Sequence, residues 1–288
     1  MTDVVFASDG VALRGRLYPG KGAGPRPAVV MAHGFTAVAE QLQPQARAFS
    51  EAGYTVLAYD NPGFGRSEGF PRQEVDPARQ VRGYRDAVSF VRSLPGVRGE
   101  RIALWGSSFS GGHVLMAGAL DPRVAAVVSQ APFVAGWDLL ARRPDADSFV
   151  AALFAEREAR SGGAPPTLIP VVAEGEDPCA LPGDDGYAWF TSTGGATWRN
   201  EVTLSSFELV RGYEPGWWAH RIAPRPLLMI VATEDLVTPT DHALAVFERA
   251  GEPKQLVRVA GGHFDVYSGD GFKQSIAATL DFLGRTLG

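Results

Sequence analysis

Short continuous apolar runs alternate with helix-like stretches over most of the chain. Residues 4–8 and 11–18 flank Asp9-Gly10, which predicts a β-hairpin with a tight two-residue turn. Apolar runs at 27–33, 54–60, 101–106, 124–130, 226–233 and 255–259 predict buried strands. Between them, helices are predicted over 39–53 (closed by Gly53), 77–94 (stopped by Pro95), 110–120 and 272–287. Thr238-Pro239-Thr240-Asp241 reads as a further helix start, with Thr238 as cap, Pro239 first and an acid third. The rhythm breaks over about 134–222. There only 147–160 and 197–211 look helical, separated by Pro- and Gly-rich loops. Strands that are apolar throughout and alternate with helices imply a mostly parallel central sheet covered on both faces. The expected fold class is therefore α/β, with one core made of 1–133 and 223–288 and an insertion at 134–222.

Composition narrows the function. Apolar residues are 45% and charged residues 20% of 288, a globular balance. The net charge of −5 disfavours a nucleic-acid partner. Cys179 stands alone, so no intrachain disulfide framework and no cysteine-rich metal site is expected. No run approaches the ~18 apolar residues of a membrane span, and the N-terminus shows no leader pattern. A cytoplasmic protein without a membrane partner is expected. The 34 glycines and 21 prolines call for many tight turns.

One of those turns carries chemistry. Trp105-Gly106-Ser107-Ser108-Phe109-Ser110-Gly111-Gly112 lies between a predicted strand and a predicted helix. That is the setting of a nucleophile elbow, G-x-S-x-G, here with Ser110 at the second glycine position. The neighbours of a nucleophile in so strained a turn must be small, and a helix N-terminus behind it favours a developing oxyanion. Partners follow in the order acid, then histidine. Glu234-Asp235 ends the strand at 226–233, and Gly261-Gly262-His263-Phe264 follows the last strand. Ser108, Asp235 and His263 are thus the predicted catalytic residues. Ser107 and Ser110 are expected to point away from the apex, and Glu234 to belong to the strand end. His113, His220 and His242 read as structural or exposed, and Cys179 as incidental. His33-Gly34-Phe35-Thr36 follows the third strand and can supply an oxyanion donor. The backbone N–H groups of Phe35 and Phe109 are the predicted pair, with His33 as a structural hydrogen-bonder.

Together these segments resemble the α/β-hydrolase superfamily. His33-Gly34-Phe35, the loop from Asp60 to Ser67, the elbow, the acid after residues 226–233 and the His263 loop occur in order across nearly the whole chain outside the insertion. The elbow with its following helix start, the 226–239 segment and parts of the insertion also resemble a narrower polyketide-pathway-associated, dienelactone-hydrolase-like group, which includes proteins assigned acyl transfer. The resemblance implies an α/β-hydrolase fold in which 134–222 is a cap or lid over the active site.

The expected mechanism is attack of Ser108 on an acyl carbonyl, with His263 as base, Asp235 orienting it, and no metal or organic cofactor. The expected partner is a small-molecule acyl substrate, an ester or thioester with a bulky apolar acyl group; a homodimer is left open. Five of the six tryptophans lie in the insertion, so Trp137 and Tyr187 are expected on the pocket wall. Three other functions fit the same residues. They are acyl transfer or cyclisation, carbon–carbon bond hydrolysis, and ligand reception without turnover. The lack of a large gating domain makes a peptidase the weaker expectation.

Overall fold

A computed structural model describes residues 1–288. Strands β1 (Thr2–Ser8) and β2 (Val11–Tyr18) form the opening hairpin, turning at Asp9 and Gly10, both at positive φ (48° and 78°) as a type I′ turn requires. Six more strands complete the main sheet: β3 (Arg26–Ala32), β4 (Thr55–Tyr59), β5 (Val97–Ser107), β6 (Ala126–Gln130), β9 (Leu227–Ala232) and β10 (Lys254–Val259). Their order is β1-β2-β4-β3-β5-β6-β9-β10. All pairs from β4 onward are parallel, and β1 and β2 form an antiparallel edge. The chain belongs to the α/β fold class, with the α/β-hydrolase arrangement of a mostly parallel sheet between helices.

The strand runs are apolar throughout because both faces of the sheet are covered. Along β3, Val30 and Ala32 join one buried cluster, while Val29 and Met31 join the other. Helices α1 (Gln43–Glu51) and α9 (Gly269–Leu287) cover the second face. Helices α2 (Pro77–Arg92), α3 (Phe109–Leu120) and α8 (Thr240–Arg249) cover the first. Residues 134–222 contribute α4 (Gly136–Ala141), α5 (Ala146–Ser161), α6 (Asp184–Thr193), α7 (Ser205–Arg211) and a two-residue ladder of β7 (Leu168–Ile169) with β8 (Val202–Thr203). Their buried side chains, among them Leu153, Phe190, Phe207 and Tyr213, join the first-face cluster. The segment therefore shares the core of the sheet and has no separate one.

Two helix expectations are corrected. Residues 39–53 form a 3-10 turn, Ala39–Leu42, before α1, because Pro44 lacks an N–H and clashes with a carbonyl one turn back. Of residues 197–211, only Ser205–Arg211 is helical. Before it, the Asn200 side chain bonds the backbone of Val171 and Val172, and Val202–Thr203 pair with β7. Those partners hold the backbone extended.

The register positions the site. Ala32 of β3 lies opposite Gly106 of β5. The chain runs outward from β3 to β4 and then returns to β5, so a crevice opens at the carboxyl ends of β3 and β5. The Gly34 loop and the elbow leave the sheet side by side into it.

Candidate active site

Ser108 stands between β5 and α3 with φ 58° and ψ −123°, a left-handed conformation for a residue with a side chain. The strain is held by the sheet: the Ser108 N–H donates to Gln130 O (2.9 Å), and Phe133 N–H donates to Ser108 O (3.0 Å). Close packing sets the neighbours. A Cβ on Gly106 would lie 2.2 Å from Ser110 O, so glycine is required there. A Cβ on Gly34 would meet the Ser108 Cβ at 3.1 Å, so the Gly34 loop passes directly against the elbow. Ser110 is fully buried and its hydroxyl donates to His33 O (2.6 Å). The serine at this position ties the start of α3 to the loop after β3, a bond a glycine lacks.

The loops after β9 and β10 bring Asp235 and His263 to Ser108. His263 Nε2 lies 3.0 Å from Ser108 Oγ, and His263 Nδ1 lies 2.7 Å from Asp235 Oδ2. The carboxylate can only accept, so the proton sits on Nδ1 and leaves Nε2 as an acceptor for the serine. Asp235 Oδ1 receives the N–H groups of Val237 (2.9 Å) and Thr238 (2.8 Å). Both Asp235 and His263 are buried, whereas Glu234 is exposed at the cavity rim.

Thr238 departs from the expected role. Helix α8 starts at Thr240 with Pro239 at its cap and no side-chain cap bond. The Thr238 hydroxyl lies 2.9 Å from Asp235 Oδ2, 2.9 Å from Ala131 O and 3.2 Å from His263 Nδ1. With one proton it donates to one oxygen at a time, and it holds the acid and the histidine loop to the end of β6.

The two predicted amides also meet here. Phe35 N–H donates to no protein acceptor. Phe109 is the first residue of α3, so its N–H has no carbonyl one turn behind it. Both residues line the cavity beside Ser108, their rings packed edge to face with centroids 5.8 Å apart. His33 is fully engaged: Asn61 N–H donates to Nε2 (3.0 Å), and Nδ1 donates to Gly34 O (2.9 Å). Burial lowers its pKa. His113 is locked between Tyr213 and Gln80, and burial takes its pKa down to about 3.

The cavity over Ser108 measures about 710 Å³, within the range of small-molecule sites, and most of its wall is apolar. Trp137 and Tyr187 are not part of that wall, contrary to expectation. Trp137 is 56% exposed, with the Arg211 guanidinium 3.8 Å above its ring. Tyr187 packs against the buried cluster instead. Trp189 and Phe190 of α6 and Phe207 of α7 supply the aromatic wall from this segment. A second correction concerns Ser107, which faces the same cavity and bonds Tyr267 Oη (2.7 Å). Tyr267 follows His263 in a 3-10 turn and carried no motif signal.

With this fold and this juxtaposition, the chain belongs to the α/β-hydrolase family, and it is an enzyme of hydrolase type. The family model for serine aminopeptidase, S33, matches residues 23–160. Among curated relatives, the thiohydrolase aneE of Aspergillus aculeatus is 35% identical over 97% of this chain and 91% of its own. The polyketide transferase af380 of Aspergillus fumigatus is 35% identical over 99% of this chain and 98% of its own. The crystal structure of the α/β hydrolase GrgF from Penicillium sp. sh18 superposes with a TM-score of 0.86, at 32% identity, covering 99% of this chain and 98% of that one. No helix of the chain is long and apolar enough to cross a membrane.

Proposed function

We propose that the protein is a serine hydrolase that cleaves a carboxylic ester or thioester bearing a bulky apolar acyl group, through a covalent acyl-enzyme. The reading rests on one observation: Ser108 Oγ, His263 Nε2 and Asp235 Oδ2 form a hydrogen-bonded chain at the floor of a large, mainly apolar cavity. Ser108 attacks the acyl carbonyl as His263 takes its proton, and Asp235 stabilises the imidazolium. The Phe35 and Phe109 N–H groups receive the oxyanion, a contribution worth about 100–1000-fold in rate per donor. His263 then protonates the leaving group, and water enters by the reverse path. Segment 134–222 acts as the cap, placing Trp189 and Phe190 against the acyl chain.

A fluorophosphonate probe is expected to label the wild type and not Ser108→Ala, whose turnover of acyl esters falls about 10,000-fold or more. Equal labelling of the two proteins places the nucleophile elsewhere. Transfer of the acyl group to an acceptor other than water is the second reading. It is favoured by the 35% identity to a protein named a polyketide transferase. Product analysis with an added alcohol or thiol separates the two: free acid alone supports hydrolysis.

A further inference from the structure

Tyr267, Ser107 and Gln130 form a polar chain beside Ser108 that the hydrolytic scheme leaves unused. The Ser107 hydroxyl lies 2.7 Å from Tyr267 Oη, and Gln130 Nε2 donates to Ser107 Oγ (3.1 Å). An amide nitrogen only donates, so the Ser107 proton has one acceptor within reach, the Tyr267 oxygen. Either hydroxyl of this pair can donate, and with Ser107 as the donor Tyr267 has its own O–H left to give. Ser107 and Tyr267 both face the cavity.

The ring is fixed on several sides. Its centroid lies 5.2 Å from that of Trp189 and 6.1 Å from that of His263. Burial, against the hydrogen bond from Ser107, keeps the phenol above its ordinary pKa. The negative charge of Asp235 acts in the same direction as burial. Tyr267 is thus a neutral donor beside the nucleophile and on the histidine side of it. The carbonyl oxygen is directed to the Phe35 and Phe109 amides, so the leaving atom must face His263, which protonates it. That is the side on which Tyr267 stands.

We propose that Tyr267 is a further catalytic residue, whose phenolic O–H donates a hydrogen bond to the heteroatom that leaves the acyl carbon and, in deacylation, to the oxygen that enters. This rests on Ser108 being the nucleophile. In acylation the Ser108 Oγ–carbon bond forms and the carbon–heteroatom bond breaks. The serine proton passes through His263 Nε2 to the leaving atom, and the Tyr267 proton stays on the phenol. In deacylation the bonds form and break in reverse, with water as the entering group. The contribution scales with the charge that builds on the leaving atom. An alkoxide gains most; a nitrophenolate, which spreads its own charge, gains little.

The test compares ethyl butyrate with p-nitrophenyl butyrate, one acyl group with two leaving groups. Tyr267→Phe is expected to lower kcat/KM about 10–100-fold on the ethyl ester and no more than about threefold on the nitrophenyl ester. Ser107→Ala keeps the phenol and removes the oxygen that orients it, and is expected to give the same split at smaller amplitude. It also carries the test should Tyr267→Phe fold poorly. Equal losses on both esters, or none on the ethyl ester, overturn the role of Tyr267 while leaving a wild type that turns over and is labelled at Ser108. A wild type that neither turns over these esters nor reacts with fluorophosphonate overturns the reading of Ser108, and this proposal with it.

Discussion

At the residue scale, the geometry of the candidate site depends on groups that hold Ser108, Asp235 and His263 as much as on those side chains. The Thr238 hydroxyl reaches Asp235 Oδ2, Ala131 O and His263 Nδ1 from one position. A hydrogen bond to a charged group contributes about 1.5–3 kcal/mol, so Thr238→Val, of the same shape, is expected to lower kcat on the order of tenfold with little change in KM. Unchanged kcat in stopped-assay kinetics assigns the hydroxyl to folding alone. Ser108, Asp235 and His263 were legible because each follows a strand end, the first and last beside glycines, in the order the chemistry needs. Thr238, Ser107 and Tyr267 were not. Thr238 had a sound local reading as a cap, which lost to a carboxylate three residues back that the loop folds to within 2.9 Å of its hydroxyl. Ser107 and Tyr267 meet across 160 positions, and no local pattern encodes that bond.

At the element scale, β5 and α3 followed directly from the run ending at Trp105-Gly106 and the small residues after it. Helix α6 did not: its sequence mixes glycine, aromatics and three Ser/Thr positions, all weak helix formers. It is held by burial of Phe190, which stacks on Trp198 with centroids 5.4 Å apart. Of the five tryptophans in 134–222, Trp189 alone reaches the cavity wall. Trp189→Ala is expected to raise KM several-fold for octanoyl esters and less for acetyl esters, because a longer acyl chain covers more of the apolar wall. Trp137→Ala, at a side chain under Arg211 on the surface, is expected to leave both KM values near wild type. The same response from the two variants in an acyl-length series would remove α6 from the acyl site.

At the scale of the molecule, two histidines are buried in the first-face core, and both have a pKa below the ordinary 6.5, that of His113 at about 3. The unfolded chain takes up protons that these rings refuse in the native state. Their contribution is therefore complete above pH 6.5 and is lost as pH falls through it, by up to about 1.4 kcal/mol per pH unit for each ring. Urea midpoints should drop between pH 7 and pH 5, and less steeply in His113→Gln. A wild-type midpoint that is flat over that range contradicts neutral burial of these rings. Tyr213, from the segment between β6 and β9, is one of the two partners of His113. Acid stress on this histidine thus reaches that segment and the sheet together.

The sequence by itself determined the sheet and the candidate nucleophile, acid and base. Strand runs covered on both faces, turn glycines at strand ends and the order of three side chains are local signals, each written within a few residues. Only the tertiary structure decided which aromatics enclose the cavity, what Thr238 bonds, and that Tyr267 meets Ser107 at the wall of the cavity that Ser108 lines. Those outcomes depend on which groups the fold brings to a shared space. That is set by strand order, by the crevice between β3 and β5, and by a core that residues 134–222 share with the sheet.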